Sequence, residues 1–249
     1  MTLEDFFHTN DPIALGFSGG VDSSYLLYAA LKSGAQVRAY YVRSAFQPLF
    51  EWEDATRLAR QLQADLKILD VDVLSDAAIT SNPADRCYYC KKRIFSAIAA
   101  HALADGYHTL IDGTNASDDA GDRPGMRALK ELSVRSPLRE CGLTKDEIRR
   151  LSQKSGLFTW NKPSYACLAT RIPNGEPITR EKLERTERAE DYLFSLGFTN
   201  FRVRMAGDTA KIQVTPSQLG RLMENRTSIV RKLKEDYHTV LLDLEARDE

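Results

Sequence analysis

The string Ser-Gly-Gly-Val-Asp-Ser, at residues 18–23, constrains the fold of this chain more than any other feature. It follows the apolar run 12–17 and opens a segment with helical character at about 22–33. A strand, a glycine-rich turn and a helix bring backbone N–H groups and the positive end of a helix dipole to one point. This arrangement predicts a site for a polyphosphate.

The residues of this loop differ from those of the Walker loop and of the dinucleotide-binding loop, two better-known phosphate-binding loops. There is no lysine where a Walker loop needs one, and the glycine spacing differs from that of the dinucleotide-binding fingerprint. Gly19 and Gly20 permit close backbone approach, while the hydroxyls of Ser18 and Ser23 add donors. The structural alternative is a capped strand-to-helix turn.

Apolar runs alternate with helical patterns along the first 155 residues. The runs predict strands at 12–17, 36–42, 66–71 and 108–113, with a weaker one at 132–138. The periodic segments between them predict helices at about 22–33, 50–64, 87–104 and 145–155. The alternation predicts an α/β fold with a doubly wound parallel sheet.

The C-terminal part has a different pattern. Residues 156–179 show no period and read as a long loop, a length that is usually functional or a linker. The order after it predicts a small α+β domain: a helix at 180–195, strands at 201–206 and 210–214, a helix beginning at Pro216, and a strand at 239–244. We therefore expect a nucleotide domain at 1–175 and a small domain for substrate binding or oligomerisation at 176–249.

Charge and hydropathy exclude several classes of partner. Lys and Arg number 34 against 35 Asp and Glu, so the net charge of −1 gives no general attraction to nucleic acid or to an anionic membrane. The N-terminus lacks the pattern of a signal peptide, and no apolar run approaches a membrane span of about 20 residues. We expect a cytoplasmic protein that binds neither nucleic acid nor membrane.

Three cysteines have a spacing that suggests chemistry. Cys87 and Cys90 are close enough to bind one metal centre, and Cys167 from the long loop would supply a third corner of a 4Fe–4S cluster. A redox disulfide and two half-buried structural thiols remain alternatives for the Cys87–Cys90 pair. Cys141 has no partner beside it in sequence and reads as a packed or idle thiol.

The loop string resembles the pyrophosphate loop, or PP-loop, of the ATP-pyrophosphatases, which form adenylated intermediates from ATP. The stretch Asp-Gly-Thr-Asn-Ala-Ser-Asp-Asp at 112–119 resembles a second segment of that superfamily. The resemblance implies ATP and magnesium as cofactors, with Asp22 binding the metal or stabilising the loop. It also implies that Thr114, Asn115 and Asp118 line the nucleotide, although an Asx-type turn is the structural alternative.

Taken in order, the segments of nearly the whole chain resemble the LarE family, ATP-dependent sulfur insertases of nickel-pincer cofactor biosynthesis for lactate racemase. The segments are FSGGVDSSYLL, NPADRCYYCKKRIF, DGTNASDDAGDRPG, VRSPLRECGLTKDEIR, KPSYACLATRIPNGEPIT and FRVRMAGDTAKIQV. Family members adenylate a carboxylate of a pyridinium dicarboxylate mononucleotide and replace its oxygen with sulfur. The resemblance also implies a homo-oligomer, a hexamer in the family, and a hand-off to the nickel-insertion enzyme.

The cysteines decide which sulfur source the resemblance implies. Some members have only the cysteine matching Cys167, whose own sulfur is given up, whereas others have three and are thought to hold a 4Fe–4S cluster with a transferable sulfide. Since Cys87, Cys90 and Cys167 are all present, we expect the cluster form. Sacrifice of Cys167 is the alternative.

The resemblance also assigns further residues to substrate and metal. Tyr88 would stack on the pyridinium ring, because an aromatic face favours a cation. The remaining assignments are Thr170 and Arg171 to the carboxylate or a phosphate, Arg202 and Arg204 to a substrate phosphate, Glu190 weakly to a metal, and Arg123 to the nucleotide. Core packing or solvated strand and helix faces are the structural alternatives.

Two other functions remain open at this stage. A tRNA thiolase of the same superfamily would also combine ATP with three cysteines, but the balanced charge of the C-terminal part disfavours it. An ATP-dependent amidotransferase or ligase would leave the cysteines incidental.

Overall fold

The computed structural model describes residues 1–118 and 124–247, which form two compact units. The first unit comprises Met1–Val73 and Asp85–Lys162, and the second comprises Leu74–Ala84 and Pro163–Glu249. The expected boundary after residue 175 therefore differs from the division in the structure.

The helices and strands agree closely with the predicted alternation. The helices are α1 (Leu3–Asn10), α2 (Val21–Lys32), α3 (Leu49–Gln61), α4 (Ala77–Thr80), α5 (Arg86–Ala104), α6 (Pro124–Glu131), α7 (Pro137–Glu140), α8 (Lys145–Lys154), α9 (Arg180–Ser195), α10 (Leu219–Glu224) and α11 (Arg226–Leu233). The strands are β1 (Ile13–Gly16), β2 (Val37–Arg43), β3 (Asp65–Asp70), β4 (Thr109–Ile111), β5 (Arg202–Ala206), β6 (Thr209–Gln213) and β7 (Thr239–Leu242). Short 3-10 turns cover Leu168–Arg171 and Pro216–Gln218.

The first unit is built on a parallel sheet of order β3-β2-β1-β4. Ile13 of β1 lies opposite Val37 of β2 on one side and Thr109 of β4 on the other. The weaker strand predicted at 132–138 is not formed as a strand, and Arg135 makes only an isolated bridge to Ile111. Pro137 has no N–H to give to a sheet and instead begins α7, where its fixed φ suits a first turn.

Alternate residues of the central strand face two separate cores. Ile13 and Leu15 pack with α1, α2, α3 and α8, whereas Ala14 packs with α5 and α6. All three residues are fully buried, as expected for a strand covered on both faces. The α/β fold with helices on both faces of a parallel sheet is thereby confirmed.

The second unit holds the predicted α+β pattern and two segments, 74–84 and 163–175, that were not predicted to join it. β5 is antiparallel to β6, and β6 is parallel to β7. The segment 74–84 belongs to this unit because Gly175 and Ile178 donate main-chain hydrogen bonds of 2.8 Å to the carbonyls of Asn82 and Thr80, respectively. Along the two described stretches, none of the helices combines the length and apolarity needed to span a membrane.

Candidate active site

The glycine loop joins β1 to α2 and is stabilised by its own serines. The hydroxyls of Ser18 and Ser23 lie 3.1 Å apart, the Gly20 amide donates to Ser18 Oγ at 3.3 Å, and Ser23 Oγ donates to the Gly20 carbonyl at 3.3 Å. Gly19 has a φ of +71° and Gly20 is the N-cap of α2, with no side-chain cap. The first amides of α2 are therefore left for an anion, as the polyphosphate prediction requires.

The loop that follows β4 packs directly against the first turn of α2. A Cβ on Gly113 would lie 2.9 Å from the Ser23 amide nitrogen, so only glycine allows this approach. Asp112, which is buried, accepts hydrogen bonds from Thr114 Oγ1 at 2.5 Å and from Ser136 Oγ at 2.7 Å. The Ser117 amide donates to Asn115 Oδ1 at 2.8 Å, which is the geometry of the Asx-type turn alternative, and the Asn115 amide donates to Asp118 Oδ2 at 2.9 Å.

Asp22 connects three elements of this site. Asn115 Nδ2 donates to Asp22 Oδ1 at 3.2 Å, and Lys145 Nζ donates to Asp22 Oδ2 at 2.5 Å. Lys145 is the first residue of α8, whose capping box between Thr144 and Glu147 fixes that end of the helix. The Asp22 carboxylate thus links α2, the loop after β4 and α8.

A cavity of about 290 Å³ opens over the glycine loop in the first unit. It is lined by Gly16, Ser18, Gly20, Asp22, Ser23, Lys91, Phe95, Asp112, Gly113, Thr114 and Asp118. The structure therefore brings together most of the residues predicted to contact ATP. Arg123, also predicted there, lies outside the described residues.

A second cavity, of about 320 Å³, shares Lys91, Thr114 and Asp118 with the first. Cys87 lines this second cavity, and Cys90 lies one turn further along α5. Residues three apart on a helix face the same side, with Cβ atoms about 5–6 Å apart. Cys87 is exposed and Cys90 is half-buried, and of the two only Cys87 lines the cavity that adjoins the one over the glycine loop.

Tyr88, between the two cysteines, already contacts a cation of the chain. The Arg127 guanidinium lies 4.0 Å from the Tyr88 ring centroid, and Tyr88 Oη donates to Glu131 at 2.8 Å. Lys92 donates to both Tyr88 Oη and Glu131 at 2.9 Å, and these bonds raise the pKa of Lys92 to about 12. Arg127 thus occupies a cation position of the type predicted for the pyridinium ring.

In the second unit, Arg171 and Glu190 form a buried ion pair. Arg171 Nε and Nη2 donate to the two Glu190 oxygens at 2.8 and 3.0 Å, and the side chains are 0% and 1% exposed. Tyr165 Oη also donates to Glu190. Burial, and then the Glu190 charge, raise the pKa of Tyr165. These contacts argue against the weak prediction that Glu190 binds a metal, since protein donors engage both of its oxygens.

The two arginines of β5 lie two residues apart, so their side chains leave the same face of the strand, and both contact the segment 164–170. Arg202 is buried and donates to the carbonyls of Phe201 and Ser164 at 2.6 Å. Burial and the neighbouring Arg171 charge lower the Arg202 pKa to about 10. Arg204 is half-buried and donates to the Thr170 carbonyl at 3.0 Å. The structure therefore gathers the predicted second-unit residues, but it directs their guanidinium groups to peptide carbonyls.

The residues expected to bind Mg²⁺ and the residues expected to bind a 4Fe–4S cluster can each be compared with the ligands that these groups prefer. Within 1–118 and 124–247, no cluster of three or more His, Cys, Asp or Glu side chains converges on a point suited to a metal ion. Asp22, Asp112 and Asp118 nevertheless line the loop cavity, and Mg²⁺ commonly binds through one or two carboxylates plus substrate phosphates. The Cys87–Cys90 pair fits two corners of an iron–sulfur cluster.

Three residues of the site were missed by sequence reasoning. Lys91 lies four positions after Cys87 and so on the same helix face, a relation that the spacing alone contains. Lys145 is the first residue of α8, and the sequence predicted only a helix at about 145–155 there. Asp112 precedes the predicted loop residues and holds Thr114 in place.

Comparisons with known proteins identify a family match and several relatives of this chain. Residues 13–121 match the family described as queuosine biosynthesis protein QueC. The chain is 33% identical, over 93% of its length and 85% of the relative's, to the pyridinium-3,5-bisthiocarboxylic acid mononucleotide synthase of Lactiplantibacillus plantarum. It is 37% identical to an uncharacterized protein of Synechocystis sp., over 90% of this chain and 84% of that one.

A more distant relative performs sulfur transfer on another substrate. The tRNA-specific 2-thiouridylase MnmA of Thermotoga sp. is 25% identical over 66% of this chain and 57% of its own length. The match to the synthase covers 93% of this chain and 85% of that one, and the structure has a cavity over the glycine loop with Cys87 in an adjoining cavity. The chain thus belongs to the LarE family within the PP-loop superfamily and is an ATP-dependent sulfur transferase.

Proposed function

We propose that this enzyme adenylates a carboxylate of a pyridinium dicarboxylate mononucleotide and converts it into a thiocarboxylate during nickel-pincer cofactor biosynthesis. The name of the Lactiplantibacillus plantarum relative, a pyridinium-3,5-bisthiocarboxylic acid mononucleotide synthase, supports this substrate class. The proposed cofactors are ATP, Mg²⁺ and a 4Fe–4S cluster on Cys87, Cys90 and Cys167, with sacrifice of Cys167 as the other source of sulfur.

One observation carries the proposal most directly. The cavity lined by Cys87 shares Lys91, Thr114 and Asp118 with the cavity over the glycine loop. A carboxylate in the second cavity would therefore lie next to an ATP phosphate in the first. A simple nucleotide-binding module would not need a thiol-lined cavity at this position.

Activation uses the groups of the first cavity. A substrate carboxylate oxygen attacks the α-phosphorus of ATP, the bond to the β-phosphate bridge breaks, and pyrophosphate leaves. The uncapped amides at the start of α2 and the hydroxyls of Ser18 and Ser23 donate to the phosphate charge that develops. Lys91, which lines both cavities, is placed to orient the carboxylate during this step.

Sulfur replaces AMP in the second step. In the sacrificial route, the Cys167 thiolate attacks the acyl carbon, AMP leaves and a thioester forms. Loss of the Cys167 Cα proton then breaks the Cβ–Sγ bond, which releases the thiocarboxylate and leaves dehydroalanine. Cys87, Cys90 and Cys167 would hold a 4Fe–4S cluster in the other route, and a transferable sulfide bound to it would be the nucleophile in place of the thiolate.

The test is anaerobic purification with iron and sulfide analysis, followed by turnover with ATP, Mg²⁺ and pyridinium-3,5-dicarboxylate mononucleotide. Mass spectrometry then reads both the thiocarboxylate product and the state of Cys167. A bound cluster with an intact Cys167 supports the cluster route, whereas dehydroalanine without iron supports the sacrificial route. Absence of ATP-dependent thiocarboxylate in both the iron-loaded and the iron-free protein would refute the proposal.

The fourth cysteine provides a matched control for the thiols. Cys141 caps the end of α7, and burial raises the pKa of its thiol. Cys141→Ser should keep the iron content and the turnover, while Cys90→Ser should lose the iron. Full turnover in Cys167→Ala would favour the amidotransferase or ligase alternative.

The similarity to MnmA supports a second candidate function, thiolation of tRNA. Its test is a binding titration with unmodified tRNA at low and high salt, since phosphate contacts make such binding strongly salt-dependent. ATP-dependent incorporation of sulfur into the tRNA would establish this candidate in place of the first.

A further inference from the structure

The main chain around Cys167 has little regular structure of its own. Residues 163–167 lie outside helices and strands, and only the 3-10 turn Leu168–Arg171 follows. The Thr170 amide and its Oγ1 both donate to the Cys167 carbonyl, at 3.0 and 2.9 Å. In an irregular segment, carbonyl groups need partners from elsewhere if the backbone is to hold one conformation.

Arginine side chains supply these partners. Arg171 Nη1 donates to the Ala166 carbonyl at 2.8 Å, to Thr170 Oγ1 at 2.8 Å and to the Cys167 carbonyl at 3.4 Å. Because a guanidinium is planar and rigid, the three bonds fix the carbonyls on both sides of the Cys167 peptide relative to each other.

The β5 arginines hold the two ends of the same segment. Arg202 Nη2 donates to the Ser164 carbonyl at 2.6 Å, and Arg204 Nη1 donates to the Thr170 carbonyl at 3.0 Å. Guanidinium groups therefore contact the backbone before, at and after Cys167. Two of these three cations, Arg171 and Arg202, are buried, and burying charge is costly.

Glu190 determines where the Arg171 guanidinium lies. Its carboxylate accepts the Nε–H and Nη2–H of Arg171 and also the Val203 amide, at 2.8 Å. Since α9 carries Glu190 and β5 carries Val203, the carboxylate ties the arginine to two regular elements. The Cys167 backbone is thus connected, through one side chain, to the rigid part of the second unit.

We propose that the Glu190–Arg171 pair is a buried clamp that fixes the Cys167 segment, so that both are positioning residues for the Cys167 thiol. A catalytic role for the clamp rests on the proposed function. Its restraint of the main chain around Cys167 does not depend on that function. Arg171 acts on the main chain and Glu190 acts through Arg171.

The test measures local backbone opening and thiol accessibility in Glu190→Gln. Glutamine keeps the size of the side chain but removes the charge and one of the two acceptor oxygens. The guanidinium of Arg171 then loses its bidentate ion pair. We expect hydrogen exchange in the peptide covering 164–171 to accelerate at least tenfold. We also expect a severalfold change in the rate at which iodoacetamide alkylates Cys167 in metal-free protein, with alkylation of Cys141 unchanged.

Two further variants separate positioning from general stability. Glu184→Gln, exposed on the same helix, is the matched control and should leave exchange and alkylation unchanged. Arg171→Lys keeps the charge but not the fork, and it should reproduce the effect of Glu190→Gln on 164–171. In both clamp variants the KM for ATP should remain that of the wild type, while kcat for thiocarboxylate formation falls.

Several outcomes would overturn the proposal. Unchanged exchange at 164–171 in Glu190→Gln would show that the pair does not hold the segment. Equal acceleration throughout 163–247, or failure of both clamp variants to fold while Glu184→Gln folds, would show that the pair stabilises the unit as a whole. A rise in the KM for ATP with no fall in kcat would assign the pair to nucleotide binding.

Discussion

Gly19 carries both a conformational and a packing constraint. Its φ of +71° lies in the left-handed region, and a Cβ there would lie 2.9 Å from Ala55 Cβ and 3.0 Å from Ala55 Cα on α3. For Gly19→Ala we expect a loss of about 2–4 kcal/mol in the free energy of unfolding, combining strain and overpacking. Urea unfolding measures this loss, and pyrophosphate release should fall with it because the loop is displaced.

Gly34→Ala is the matched control for this prediction. Gly34 has a φ of +80°, but no heavy atom lies within 4 Å of the position that its Cβ would take. The loss in the free energy of unfolding should come from backbone strain alone and be about 1–2 kcal/mol, and pyrophosphate release should be unchanged. Equal losses in the two variants would show that contact with Ala55 is unimportant.

Lys145 gives a second prediction for a single residue. It neutralises Asp22, and the pair is about a quarter to a third exposed, at 31% and 22%. Lys145→Met leaves the carboxylate uncompensated beside the phosphates, so we expect the KM for ATP to rise by roughly five- to tenfold, a modest effect because solvent screens the pair. Lys154→Met, in the last turn of the same helix, should not change the KM. An unchanged KM in Lys145→Met would remove Lys145 from the site.

Among the elements, α5 is held to the sheet at the end opposite to its cysteines. Asp105, its C-cap, accepts hydrogen bonds from Lys67 of β3 at 2.7 Å and from Tyr40 of β2 at 2.9 Å, and it pairs with Arg38 of β2. These donors, Lys67 first, lower the pKa of Asp105 from 3.8 to about 2. The C-terminal end of the helix that carries Cys87 is thereby fixed to the sheet.

This cluster predicts a dependence of stability on pH. Since the folded pKa is below the unfolded value, the contribution of Asp105 is complete above the unfolded pKa of about 4 and is lost as the pH falls toward about 2. The difference in urea midpoint between wild type and Asp105→Asn should therefore be constant from about pH 7 to 5 and shrink below about pH 4. Glu53→Gln, at an exposed position of α3, should show no such difference. A difference that stays the same through the acid range would contradict the assigned charge interactions.

Elements with a strong period were predictable, and short ones governed by tertiary contacts were not. The bounds of α9 were predicted without error, and β1 to β3 within about two residues, because apolar periodicity determines them. The short helices α1, α4, α6 and α7 were missed, since a few residues contain too little periodicity. The loop residues of the ATP cavity were predictable because they are adjacent in sequence. The partners of Arg171 and Arg202 were not, because hydrogen bonds to peptide carbonyls leave no pattern in residue types.

For the whole molecule, the main feature is that both units are discontinuous in sequence. Asn82, fully buried with a φ of 56°, donates through Nδ2 to the carbonyls of Ile172, Pro173 and Glu176 at 3.3, 2.7 and 3.1 Å. One side chain thus connects the segment 74–84 to the C-terminal part of the second unit.

Substitution at Asn82 tests this connection. Asn82→Ala should lower the free energy of unfolding by roughly 3–5 kcal/mol, since it leaves three carbonyls without their donor and strains the left-handed backbone. Asn82→Gly also lacks the donors, but glycine tolerates the left-handed backbone without strain. Its free energy of unfolding should therefore be only about 1 kcal/mol higher than that of Asn82→Ala. Urea unfolding of the two variants separates these contributions. Full recovery in Asn82→Gly would show that the hydrogen bonds contribute nothing.

The same discontinuity sets an order of events during synthesis. Residues 74–84 leave the ribosome early, whereas their partners around 172–178 are translated later, and the strand Thr239–Leu242 of the same unit later still. The first unit is complete in sequence at Lys162, before Cys167 is translated. Because units generally fold as their sequences are completed, we expect the nucleotide cavity to be formed on the nascent chain while the second unit still awaits the residues that enclose the Cys167 segment.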